Sequence, residues 1–116
     1  MQVSSTPVKW TLPFAQGDAS KVEIPATTAD PTRFSLTLGS PPLTGQPPET
    51  GGVPPQLEDF NGAMNQISRI AWWAQGGGAW PYDATWAGDP NVNGYAQGAQ
   101  ISSIDYSGKW LSLADN

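Results

Sequence analysis

The sequence predicts an α+β chain with much irregular structure, and three observations carry that reading. One long segment has helical periodicity, a few short segments alternate polar and apolar residues, and the 116 residues include thirteen Gly and twelve Pro. The expected layout is an extended proline-rich arm with short strands over residues 1–53, a helical segment over 54–78, and an aromatic loop with a β-hairpin over 79–116.

The arm contains two strand candidates. Lys21-Val22-Glu23-Ile24 alternates and stops at Pro25, and Arg33 to Leu38 places Phe34, Leu36 and Leu38 on one face before Gly39 ends it. From Pro41 to Pro55, three Pro-Pro pairs fall within fifteen residues. Proline fixes φ and removes a backbone donor, so this stretch is expected to be extended, as a linker or along a partner's surface. Leu43 and Val53 within it favour docking.

The helix is expected from Gln56 to Gln75. Pro54 and Pro55 suit its start, Glu58 and Asp59 complement the dipole of its first turn, and Gly76-Gly77-Gly78 ends it. Its apolar positions Leu57, Phe60, Met64, Ile67, Ala71 and Ala74 are separated by steps of 3, 4, 3, 4 and 3, the spacing of heptad a and d positions. Ile70 and Trp73 widen the stripe, while Asn61, Asn65, Gln66 and Arg69 fill the other face. A stripe of this kind packs either on its own domain's core or on a neighbouring chain, and fewer than three heptads do not decide between them. Supply does: two weak strands and a hairpin offer little surface to face Phe60, Ile67, Ile70 and Trp73. Gly62 inside the helix costs roughly 1 kcal/mol relative to Ala, a reason to expect another backbone close by.

After the helix, Trp80-Pro81-Tyr82-Asp83, Trp86, Asp89-Pro90-Asn91 and Asn93-Gly94 read as a loop rich in rings and turns. Gln100–Ile104 and Lys109–Leu113 read as a hairpin joined by residues 105–108, with Trp110 and Ser112 on one face and Leu111 and Leu113 on the other. A lone hairpin is marginal in water and needs a neighbour. The chain stops just past it, which fits an N-terminal piece of a longer polypeptide.

Composition narrows the function classes. The charged fraction is 13% and the net charge −5, with Lys9, Lys21, Arg33, Arg69 and Lys109 scattered along the chain. No basic patch is available for a phosphate backbone, so nucleic-acid binding is not expected. No segment approaches the roughly 18 apolar residues of a membrane span, and residues 1–9 hold no signal-peptide core, so a soluble chain made in a cytoplasm is expected. The chain has no Cys and no His, which removes thiol chemistry and the commonest base and metal ligand. Ser and Thr are plentiful but lie in no nucleophile elbow or Ser-x-x-Lys pattern. The ten carboxylates are mostly single residues in turns, unlike a glycosidase pair, and Asp83 to Asp89 lacks EF-hand spacing. No catalytic residue, metal site or cofactor is expected. The rings of Trp72, Trp73, Trp80, Tyr82 and Trp86 read as an aromatic core or interface, with a carbohydrate-binding platform as the alternative.

The order of short motifs is more specific than any one of them. Pro13 to Asp18 reads Pro-Phe-Ala-Gln-Gly-Asp, followed by Ile24-Pro25 and then by Phe34 to Thr44. Next come Gly51-Gly52-Val53-Pro54-Pro55, Asp59-Phe60-Asn61-Gly62 and Trp72-Trp73-Ala74-Gln75-Gly76-Gly77-Gly78. Tyr82-Asp83, Gly94-Tyr95-Ala96-Gln97-Gly98-Ala99 and Trp110 to Asn116 complete the series. Over nearly its whole length the chain resembles the N-terminal region of tail fibre proteins of tailed bacteriophages and prophages. It departs from that pattern at Gln46-Pro47-Pro48-Glu49, which is richer in proline.

The resemblance implies a virion structural protein, made in the host cytoplasm and carried at the tail tip or baseplate. It implies a homotrimeric fibre whose N-terminus fastens to tail or baseplate proteins. Distal regions beyond this chain would meet the bacterial surface receptor during host adsorption. The helix would then form a trimeric bundle, with Leu57, Phe60, Met64, Ile67, Ile70 and Ala71 at the trimer interface and Gly62 and Ala63 permitting close approach at the axis. Trp10, Leu12, Phe14, Phe34 and Leu36 of the arm would serve virion attachment. Neither nucleic acid nor membrane insertion enters this expectation.

Overall fold

A computed structural model describes residues 2–115. The chain forms a mixed structure with one main helix, a small antiparallel sheet and long irregular segments, divided into two compact units between Gln75 and Gly76.

The first unit is built on helix α1, Leu57–Gln75. Gln56 closes the first turn, its carbonyl accepting from Asp59 N–H (3.2 Å) and Phe60 N–H (3.1 Å). Gly77 follows the last turn at φ 78°, a left-handed conformation that ends a helix at little cost for glycine. Residues before α1 wrap around it without regular strands. At Lys21–Ile24 the expected strand is absent because its donors go to the helix: Val22 N–H reaches the Glu58 carbonyl (3.2 Å) and Ile24 N–H reaches Gln66 Oε1 (2.8 Å). At Arg33–Leu38 the alternation is not a strand either. Ser35 and Gly39 exchange backbone hydrogen bonds (3.2 and 2.7 Å), closing a tight loop that leaves Leu36 and Leu38 exposed. Six alternating residues with no partner edge gain nothing from being straight.

The proline-rich stretch is also not one extended run. It makes two 3₁₀ turns, Pro42–Gly45 and Pro48–Thr50, and folds back so that Val53 N–H donates to the Leu43 carbonyl (3.0 Å). Pro41 and Pro47, each just before one of these turns, keep the polyproline-like φ and ψ that proline favours. Gly51 reverses the chain at φ 90°.

The second unit holds a four-residue helix α2, Ala84–Ala87, and a hairpin of β1, Gln100–Ser102, with β2, Lys109–Leu111. The register pairs Ile101 with Trp110 and Ser102 with Lys109. Both strands are shorter than expected: β1 ends where the turn takes over at Ser103, whose N–H donates to the Gly108 carbonyl (2.9 Å), and β2 ends at Leu111, where regular pairing stops. Asp105 organises that turn. It accepts from the Ser107 hydroxyl, Ser107 N–H and the Ser103 hydroxyl, and these donors, the Ser107 hydroxyl foremost, hold its carboxyl at about 2. Beyond β2 the pairing continues irregularly, with Ser112 N–H on the Ala99 carbonyl and Gly98 N–H on the Ser112 carbonyl. Asp83 caps α2 by accepting from Trp86 N–H (2.9 Å), and Tyr95 lies between Tyr82 and Trp86 with ring centroids 5.6 and 5.1 Å away.

Very little apolar side chain is buried in either unit. Among the described residues only Ile24 and Ile101, each 8% exposed, form the buried hydrophobic set. Apolar burial is the main favourable term in folding, so a chain with twelve aromatic rings and so small a core has left most of that term unused.

Candidate self-association surface

Helix α1 carries its apolar and polar faces the opposite way round from an ordinary domain helix. Its buried residues are Asp59, Asn61, Gly62, Asn65 and Ser68. Its exposed residues include Leu57, Phe60, Ile67 and Ile70 at 61%, 49%, 65% and 60%, with Ala71 also exposed and Met64 half-buried. The core-facing side of an amphipathic helix is normally the apolar one. Here the chain's own arm covers the polar side.

The arm is held by a ladder of side chains on α1. From the C-terminal end of the helix, Gln75 Oε1 accepts from Trp10 N–H (3.0 Å) while its amide donates to the Trp10 carbonyl. Trp72 Nε1–H donates to the Thr11 carbonyl (3.2 Å). Ser68 Oγ accepts from Phe14 N–H (2.8 Å), and Asn65 Nδ2 donates to the Phe14 carbonyl (2.7 Å). Asn61 Nδ2 donates to the Ser20 carbonyl (3.1 Å). The rungs Asn61, Asn65, Ser68, Trp72 and Gln75 step by 4, 3, 4 and 3, so they form one line along the helix. The arm therefore descends antiparallel to α1. The rungs at Asn61, Asn65 and Ser68 satisfy part-buried backbone groups that burial would otherwise penalise, while those at Trp72 and Gln75 are exposed, and no buried side-chain polar atom is unpaired among the described residues.

Gly62 belongs to this arm-binding side. A Cβ built there would collide with the Val22 carbonyl oxygen. The close backbone expected at Gly62 is thus the chain's own arm, and the assignment of Gly62 to a trimer axis is corrected. Gly62 faces away from the apolar stripe.

The first turn of α1 has a second function that the sequence did not announce. Asp59, 2% exposed, accepts from Arg33 Nε (2.9 Å) and Arg33 Nη2 (2.6 Å) in a bidentate pair, and from Phe34 N–H (3.1 Å). The Arg33 guanidinium holds the Asp59 carboxyl below its ordinary value, against the opposing effect of burial, and Asp59 in turn raises Arg33. Glu58 lies 3.9 Å from the same guanidinium. An acid expected only to complement the helix dipole therefore anchors the Arg33–Phe34 segment. Arg69 and Glu23 form a further, more exposed ion pair.

Placement of the arm's predicted residues follows from the ladder. Trp10 and Leu12 are exposed, Phe14 is 37% exposed, Phe34 is half-buried beside Asp59, and Leu36 is exposed on the Ser35–Gly39 loop. Phe14 meets Phe60 edge-to-face, with ring centroids 6.0 Å apart and planes at 87°. It is positioned by a turn over residues 13–16 in which Ala15 adopts φ 52°, a left-handed conformation that costs a non-glycine residue about 1 kcal/mol. Arm and stripe thus meet at one pair of rings. Of the remaining aromatic residues, Trp80 and Trp110 are exposed in the second unit, while Tyr82 and Trp86 flank Tyr95.

The residues missed in the sequence were Arg33, Asp59, Asn61, Ser68 and Gln75 in these binding roles. The available signal was a second 3-4 line of amides and hydroxyls on the same helix that carries the apolar line, next to an arm with no strand partner for its backbone. Among the described residues no group of three His, Cys, Asp or Glu could hold a metal ion, and no helix is long and apolar enough to cross a membrane. Comparison with protein-family models and with curated proteins found no match for the chain.

Proposed function

We propose that the chain is the proximal module of a phage tail fibre, a virion structural protein that self-associates as a homotrimer and fastens the fibre to the tail or baseplate. The observation that carries this reading is the inverted helix. An uncharged stripe from Leu57 to Ala74 stands open because the arm occupies the polar side. Apolar side chains at heptad spacing, with Leu57, Phe60 and Ile67 about half or more exposed, find a facing surface most simply in copies of the same stripe. Leu57, Phe60, Met64, Ile67, Ile70 and Ala71 are the proposed contact residues. The assignment to a tail fibre rests on the motif order, from Pro13-Phe14 through Gly51-Gly52-Val53-Pro54-Pro55 to Gly94-Tyr95. The exposed side chains of Trp10, Leu12 and Leu36 are proposed to meet the tail protein.

Sedimentation equilibrium of the full chain tests the assembly. Three copies are expected, and Ile67→Asp should return a single copy. A parent chain that stays folded and monomeric at high concentration would remove the reading.

A further inference from the structure

The arm does more than lie against its own helix. With Leu57 at a, the e positions of α1 are Asn61, Ser68 and Gln75, and the g positions are Gln56, Ala63 and Ile70. Every a, d, e and g side chain from Gln56 to Gln75 is uncharged. Nothing in the seam selects a charged partner, and identical helices can lie side by side without repulsion. In a parallel seam, e positions of one helix face g positions of the next. Here the e positions are already occupied: Ser68 holds Phe14, and Gln75 holds Trp10. Any neighbour that packs on the stripe therefore meets the arm along with the helix.

We infer that Phe14 is part of the contact between copies of this chain, packing over Ala63 on the g flank of the adjacent helix. Parallel register places Ala63 of one copy opposite Ser68 of the next, the residue that seats Phe14. Alanine leaves room there for a phenyl ring that a larger g residue would exclude. Three features of the free chain point to this placement. Both backbone groups of Phe14 are gripped by side chains that are themselves buried, Asn65 and Ser68 at 4% exposure each. The left-handed Ala15 shapes the turn that follows Phe14. The ring so positioned touches Phe60 of the stripe and remains 37% exposed, so it extends the open face and does not close it. The docked arm supplies one wall of the interface, and arm docking and self-association become thermodynamically linked.

The inference rests on the self-association proposed above, and the test separates the two. Phe14→Ala in the full chain should weaken assembly by roughly tenfold or more, as expected for a truncated aromatic anchor, with Phe14→Leu intermediate. Asn65→Ala combined with Ser68→Ala should weaken it similarly while keeping the ring. Because the chain has no cysteine, Phe14→Cys and Ala63→Cys chains can be mixed and oxidised. A disulfide-linked pair of one chain of each kind is expected, and this readout does not depend on either alanine variant folding. A parent that assembles, with Phe14→Ala unchanged in affinity and no mixed disulfide, overturns the inference and leaves the self-association intact. A monomeric parent overturns both.

Discussion

On one flank of α1, five side chains grip an arm through its backbone. On the other, Leu57, Phe60, Ile67 and Ile70 face solvent. Both flanks repeat at the same 3-4 spacing, so periodicity treats them alike. They differ in what each must find. An amide or hydroxyl on a helix surface is satisfied by a few peptide groups, and a single passing strand of chain provides those. An apolar stripe is satisfied only by area, and the arm that wraps α1 reaches it at the Phe14–Phe60 pair. Within the first unit the polar flank is therefore completed by the arm, while the apolar flank stays open.

The largest effect is expected where the apolar flank is disrupted. Ile67→Asp places a charge in the proposed seam and should abolish assembly, a loss on the order of 3 kcal/mol or more per chain in sedimentation. The arm should stay docked, so Trp fluorescence of the variant should match that of the diluted parent.

Gly62→Ala attacks the polar flank. Helix propensity alone favours alanine by roughly 1 kcal/mol, but the new methyl would strike the Val22 carbonyl. A net destabilisation of about 1–3 kcal/mol is expected in chemical denaturation, with faster amide exchange in residues 10–24. A stabilised variant would show that the arm does not lie on α1.

Asp59→Asn removes the acceptor for Arg33 and should lower stability by about 1–3 kcal/mol at neutral pH. The parent's pH dependence gives the sign. The folded carboxyl lies below its ordinary value, so the unfolded chain binds the proton more tightly. The stabilisation is complete above the unfolded value near 3.9 and is lost as pH falls through the lowered folded one. The parent should therefore lose stability in acid more steeply than Asp59→Asn, as read by thermal melts from pH 6 downward. The smallest effect is expected from Ala15→Gly, where relief of the left-handed alanine and the greater flexibility of glycine in the unfolded chain nearly cancel, leaving a change below about 1 kcal/mol.

The sequence made α1 legible to within a residue at its start, because prolines, an acidic first turn and three glycines bracket a strong period. The hairpin was legible in place and pairing direction but not in length, since the serine–aspartate turn that shortens it depends on side-chain geometry at Ser103, Asp105 and Ser107. The arm was not legible. Alternation at Lys21–Ile24 and Arg33–Leu38 reads as strand when donors are assumed to pair with another strand. In this chain Val22, Ile24 and Phe34 donate to Glu58, Gln66 and Asp59, 25 or more residues away, while the other donors turn to nearby groups such as Pro25, Ala26 and Gly39. The apolar stripe was legible as a stripe, and Asn61 and Asn65 as its polar complement. That the complement is the buried side follows only once the arm's position is known.

The ladder holds peptide groups and ignores most side chains. Its demands on the arm are a free N–H at Trp10, Phe14, Val22 and Ile24, and carbonyls at the levels of Trp10, Thr11, Phe14 and Ser20. Prolines at 7, 13 and 25 fall where no such donor is used. Arm residues whose side chains face solvent, such as Trp10 and Leu12, could vary without disturbing the same rail. The helix thereby acts as a rail of fixed gauge, on which the outward-facing residues of the arm can be exchanged while the arm's seat on α1 stays the same.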